Sequence, residues 1–386
     1  MYDVAATLEP DSYRQLATAV YGEMARAGIT VVGEFHYLHH RADGTPYEDP
    51  NAMGLALVDA ARTAGVRLTL LDACYLHGGI GSPPDETQHR FSDGDGASWA
   101  RRVTVLADRL TGEQTVRVGA AIHSVRAVDP DAMVTVARWA AERDTPLHAH
   151  VSEQPVENEQ CLAAYGVTPV GLLARTAALS NRFTAVHATH LTSDDIAALG
   201  SAGCRCCACP TTERELADGI GPFGALADAG VGLCVGSDSH AVIDVLEEAR
   251  GVELHERLAT GRRGRFPPEA LLAAATEAGY RSLGWPEGGR LAPGALADFV
   301  TIGDRSVRTA GLGFDPLGIG MFAAAAADIT DVVVGGEVVV EGGRHVSIDV
   351  EAALADVIGV SDAGTSRLPT LGPAAIALQH SDGDRR

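Results

Sequence analysis

From residue 11 to 27 the apolar side chains Leu16, Ala19, Val20 and Met24 recur at helical spacing, behind an Asp11-Ser12 start and ahead of a Gly28 stop. A run without polar alternation follows, Ile29-Thr-Val-Val-Gly-Glu34, as expected of a strand buried on both faces. The pattern then repeats. Further strands are predicted at 66–72, 115–122, 146–151, 182–187, 204–209 and 231–236, separated by helical stretches such as 51–64, 130–143, 192–202 and 241–258. Continuous apolar strands alternating with helices predict an α/β fold with a parallel sheet covered on both faces, here a (β/α)8 TIM-type barrel. Seven strands are predicted where a closed barrel needs eight. The chain opens on a helix, so the first barrel strand is expected to lie before Met1.

After about residue 285 the texture changes to short β-rich runs, 289–302 and 331–343, the latter with a Gly335-Gly336 hairpin signal. The expected division is a barrel over 1–284, a small β-sandwich domain over 285–350, and a C-terminal helix with a polar, frayed tail over 351–386.

Composition narrows the function classes. With 46% hydrophobic and 21% charged residues the chain is globular, and a net charge of −21 argues against nucleic acid or an anionic membrane surface as partner. No apolar run is long enough for a membrane span and no secretory leader is visible, so a cytoplasmic location is expected. All 30 basic residues are arginine. Schiff-base catalysis, a P-loop lysine and a carboxylated lysine bridging two metals are therefore excluded. Four of the seven cysteines crowd into residues 204–209. They have no second pair at zinc-knuckle distance, so a buried strand is the expected reading.

In barrels of this class the active site sits at the C-terminal strand ends. Those ends carry Glu34 to His40, then His148-Ala-His150-Val-Ser-Glu153, His187-Ala-Thr-His190 and Gly236-Ser-Asp238-Ser-His240. Such a set suits a divalent metal that lowers the pKa of bound water, with a carboxylate to move its proton. His150 and Asp238 are the expected metal ligands and Glu153 the general acid/base. Asp238 also holds the attacking water, and His187 polarises the bond under attack. His148, His190 and His240 are expected to support the ligands by hydrogen bonding, and His39 and His40 to be solvated loop residues.

The motifs HAHVSE, HATH and GSDSH, in that order, resemble the strand motifs of the amidohydrolase superfamily, in its mononuclear deaminase branch. LAPGALADFV is similar to that superfamily's return into a β-sandwich. EFHYLHH, YLHGGIG, QHRF, HSVRAV, HAHVSEQ, HATH and TTERELADGIGP together resemble the formimidoylglutamate deiminase family, over roughly residues 1 to 345. That resemblance implies one zinc ion and hydrolysis of N-formimidoyl-L-glutamate to N-formyl-L-glutamate and ammonia in histidine degradation. It also implies a homodimer as the natural prior.

A substrate with two carboxylates calls for local donors in an acidic protein. Arg126, just past the third predicted strand, is the first candidate for a carboxylate clamp, followed by Tyr75, His77, Arg90 and Ser124. Glu213, Glu215 and Asp218 are placed to meet the formimidoyl cation. The family's first strand carries a His-x-His pair that supplies two metal ligands, and this sequence has none near its start. A start assigned at an internal methionine is the favoured explanation; a truncated, inactive relative is the other. A deaminase acting on a purine or pterin ring is the alternative enzyme, disfavoured by an aromatic content of 5%.

Overall fold

The computed structural model describes residues 2–239 and 241–359; the tail expected over 360–386 and His240 lie outside the described residues. Seven parallel strands form one sheet in chain order: β1 Val31–His36, β2 Arg67–Cys74, β3 Val116–Ile122, β4 Leu147–Val151, β5 Phe183–His187, β6 Arg205–Ala208 and β7 Gly232–Val235. Each predicted strand is present, displaced by at most two residues at either end. β2 is buried at every position, because helices cover one face and the sheet's interior the other. No pairing joins β1 to β7 among the described residues.

The helices begin where capping chemistry allows. Asp129 accepts a hydrogen bond from Ala132 N to open helix Pro130–Glu142, and Asp244 caps Leu246 N and Glu247 N of helix Val245–Thr260. Helix Ala52–Ala64 stops at Gly65, whose φ of 70° is the left-handed conformation that glycine adopts without strain. One large apolar core runs between these helices and the sheet, with Leu68, Leu70, Trp99, Val103, Ile122 and Phe183 fully buried. No helix among the described residues is long and apolar enough to cross a membrane.

A second, antiparallel sheet runs β11-β10-β9-β8, from β8 Phe299–Ile302, β9 Ile329–Val334, β10 Glu337–Glu341 and β11 Arg344–His345. Gly335 and Gly336, at φ 63° and 87°, make the tight β9–β10 turn that the sequence signalled. The two sheets are tied by a buried knot. Arg67, at the start of β2, reaches Asp298 through Nε at 2.6 Å and Nη2 at 3.0 Å, and the Tyr280 hydroxyl and Gly335 N donate to the same carboxylate. Helix Val350–Ile358 closes the described chain.

The cysteine segment is β6 and its edge. Six of the seven cysteines are buried, Cys207 is half-buried, and all are free thiols. Cys206 and Cys207 lie on β6 with Cys204 and Cys209 at its ends, as the strand reading required.

Candidate active site

The C-terminal ends of β4, β5 and β7 bring His150, His187 and Asp238 together, with one ligand atom from each lying within 4.8 Å of the others. Register does part of this: Val151 pairs with His187, so His150 and His187 stand on neighbouring strands one residue apart. Their rings stack at 5.6 Å, inclined by 17°. Four of the seven non-glycine residues at positive φ sit at this mouth: Ser152, His187, Ala188 and Asp238, at 51°, 65°, 52° and 44°. Backbone strain of this kind survives only where the surroundings over-determine it, and it clusters at functional sites.

His150 donates from Nδ1 to the carbonyl of His123 at 2.9 Å, which leaves Nε2 as the free lone pair. Neither ring nitrogen of His187 has a hydrogen bond of normal geometry, though carboxylates flank both: Glu153 Oε1 lies 3.7 Å from Nε2 and Glu213 Oε1 3.5 Å from Nδ1. Burial alone would push the imidazole down. Pairing with Glu213, joined by the charges of Glu153 and Asp238, overcomes this and raises it to about 9. A histidine with its second nitrogen anchored and a carboxylate fit a divalent cation, so His150 and Asp238 are the residues that could hold one, with the His187 imidazole beside them.

Glu153 also meets Arg126, whose Nη2 is 3.4 Å from Oε2. On its other side Arg126 Nε faces Oε2 of Glu157 at 3.7 Å. Glu157 is fully buried, accepts from Ser152 N, and has its carboxyl pulled up by desolvation. The sequence reading missed Glu157, although it stands four residues beyond Glu153, in the first turn of helix Pro155–Tyr165.

An aromatic wall closes the mouth. The Phe35 ring is 4.3 Å from His150, Tyr75 is 4.5 Å from His123, and Tyr37 is 5.2 Å from His123. His123 was another omission; its place at the end of β3, in the motif that also holds Arg126, was the available signal. Tyr75 and Ser124 are both buried here, with Ser124 Oγ 3.3 Å from His123 Nδ1. His77 is half-exposed and pairs with Asp129 at 3.3 Å.

Other expected residues have different occupations. Arg90 is fully buried, and its guanidinium donates to the carbonyls of His40 at 3.0 Å, Leu8 at 2.6 Å and Ala5. Its donors tie the N-terminal segment to the loop after β1. His148 Nε2 contacts Ser282 O at 2.9 Å, and His190 Nε2 contacts Asp218 O at 2.7 Å; each braces a loop, and neither hydrogen-bonds His150 or Asp238 among the described residues. Glu215 faces Ser239, whereas Glu213 is buried behind His187.

His39 and His40 correct the solvated-loop expectation, for both are buried. His40 lies 3.2 Å from Asp93. His39 contacts the carbonyl of Ala73 and is lowered to about 4, mainly by burial. With His36 and Asp72, His39 forms a second cluster of possible ligands. There, however, Arg102 already occupies the carboxylates: its two terminal nitrogens reach Asp72 at 2.8 Å each, and Nη2 reaches Asp93 at 2.8 Å. Trp99 Nε1 takes another Asp72 lone pair at 3.0 Å. A guanidinium centred on the acids makes this a structural ion network.

The model of the amidohydrolase family matches residues 3–339. The chain belongs to that family. Formimidoylglutamate deiminase of Pseudomonas aeruginosa is 36% identical over 372 residues, spanning 93% of this chain and 81% of that protein. The crystal structure of an amidohydrolase from Brucella melitensis superposes with a TM-score of 0.85 at 36% identity, covering 92% of this chain and 80% of that one. Atrazine chlorohydrolase of Arthrobacter aurescens, solved with zinc, gives 0.80 at 25% identity, with coverages of 91% and 77%.

Proposed function

We propose that this amidohydrolase hydrolyses N-formimidoyl-L-glutamate to N-formyl-L-glutamate and ammonia, with zinc as its metal, in histidine degradation. The observation that carries this is the contact of Arg126 with Glu153, 3.4 Å from guanidinium to carboxylate. It sets a carboxylate-binding cation directly beside the candidate acid/base, so a substrate anchored by its own carboxylate presents a nearby carbon to Glu153. The identity with the P. aeruginosa deiminase supports the same substrate, and the zinc in the A. aurescens hydrolase supports the metal.

When bound, such a metal lowers the pKa of a coordinated water towards 7 and supplies hydroxide. In this reading Glu153 takes one proton from the attacking water and then the hydroxyl proton of the tetrahedral adduct, passing both to the departing nitrogen, which leaves as ammonia as the formyl carbonyl forms. Asp238 holds the water, and His187 polarises the carbon–nitrogen bond under attack. Arg126, with Tyr75 and Ser124, binds the glutamyl end.

The aromatic wall of Phe35, Tyr37 and Tyr75 keeps a ring deaminase as the second reading, because it offers stacking surface at the mouth. Ammonia release separates the two. Turnover with formimidoylglutamate and none with guanine or adenosine is expected; the reverse preference sinks the proposal.

A further inference from the structure

Behind His187, on the side away from Glu153, stands a second carboxylate for which the proposed reaction has no use. Glu213 is 1% exposed, Cys209 N donates to its Oε1 at 2.9 Å, and its Oε2 is buried with no hydrogen-bond partner. The same Oε1 lies 3.5 Å from His187 Nδ1. His187 thus has a carboxylate oxygen near each ring nitrogen, with Glu153 3.7 Å from Nε2. The backbone at φ 65° and the stacked His150 ring hold the imidazole in this orientation.

Two readings of Glu213 compete. Cys209 is the N-cap of the short helix Pro210–Glu215, and a glutamate reaching back to that N–H is a familiar helix cap. A cap needs only the bond from Cys209 N. It does not account for the approach of that same oxygen to a ring nitrogen at the reacting centre.

We propose that Glu213 is a positioning residue for His187: its carboxylate holds the Nδ1–H, and so presents the Nε2 edge to Glu153 and to the ligand atoms of His150 and Asp238. The partner of one ring nitrogen fixes the orientation of the ring, and so what the other nitrogen meets. With Nδ1–H committed to Glu213, Nε2 is the working atom. Without that acceptor the ring can turn. The kinetic part of this inference rests on the deimination reading; the placement of the proton does not.

The test uses Glu213→Gln in the full chain, because glutamine keeps an acceptor for Cys209 N while losing the charge and offering an NH2 to Nδ1. The ¹⁵N spectrum of labelled histidine, with His187 assigned by its loss in His187→Asn, is expected to show Nδ1 protonated in the wild type and altered in Glu213→Gln. The thermal midpoint should be unchanged. On formimidoylglutamate kcat is expected to fall about 10–100-fold, the usual cost of losing an outer-shell carboxylate, with KM little moved. Wild-type kcat together with an unchanged His187 signal would show that Glu213 only caps the helix. If formimidoylglutamate is not turned over at all, the substrate reading fails and the spectrum still decides this one. If Glu213→Gln does not fold, the wild-type spectrum decides alone, since an unprotonated Nδ1 overturns the proposal.

Discussion

Arg126 stands between two carboxylates, 3.4 Å from Glu153 and 3.7 Å from Glu157. The two contacts have different consequences. Glu153 is reached from the mouth and is free to exchange partners when a substrate carboxylate arrives, whereas Glu157 is fully buried and, among the described residues, pairs with no other cation.

Replacing Arg126 by glutamine should therefore act on binding before chemistry. A charge-assisted hydrogen bond contributes roughly 1.5–3 kcal/mol, so KM for a dicarboxylate substrate should rise about 10–100-fold, with a smaller change in kcat. Steady-state kinetics check this, and an equal fall in kcat and kcat/KM would place Arg126 in the chemical step instead.

Arg90→Met should show the opposite pattern. The buried His40 carbonyl and the half-buried carbonyls of Ala5 and Leu8 lose their donor, and a buried acceptor left unsatisfied costs about 1–3 kcal/mol. Lower stability with a near-normal KM in the surviving folded protein is expected; a raised KM at unchanged stability would return Arg90 to the substrate.

The contrast between these arginines marks what was legible in the sequence. Strand–helix alternation placed all seven parallel strands, because strands buried on both faces leave an uninterrupted apolar run, and Gly335-Gly336 announced the β9–β10 hairpin. His150, Glu153, His187 and Asp238 were readable because strand ends in such a sheet converge on one mouth. The misreadings involve residues whose partners come from distant loops. Nothing local to His39, His40 or Arg90 says that Asp72, Asp93 and Arg102, or the carbonyls of Ala5 and Leu8, will meet them in the interior. Glu157 and Glu213 were missed or misplaced for a related reason: a buried carboxylate and a solvated one have the same letter.

Glu248 makes stability depend on pH. Burial holds its carboxyl at about 7, above the ordinary 4.5, despite bonds from the Thr211 amide and hydroxyl. The unfolded chain releases this proton first, so between those values the folded state binds more protons and stability falls as pH rises. The contribution is fully present below about 4.5 and lost through about 7. Urea midpoints measured across that window should lose this slope in Glu248→Gln; an unaltered slope would assign it to other groups.

Asp298→Ala should destabilise the chain by about 3–5 kcal/mol, since it strands the Arg67 guanidinium in the interior. Tyr280 and Gly335 lose an acceptor as well. Urea unfolding measures the loss, and a change below about 1 kcal/mol would mean that water reaches Arg67.

The sulfur-lined β6–β7 edge adds a reporter to the molecule. Cys204, Cys206, Cys209 and Cys234 are free thiols sealed in the sheet that carries Asp238. A thiol reagent can reach them only when those strands part, so labelling kinetics would time the opening of the wall that holds a candidate ligand. Any ion bridging β4 and β7 would slow that clock, making alkylation rate a measure of metal occupancy that needs no substrate.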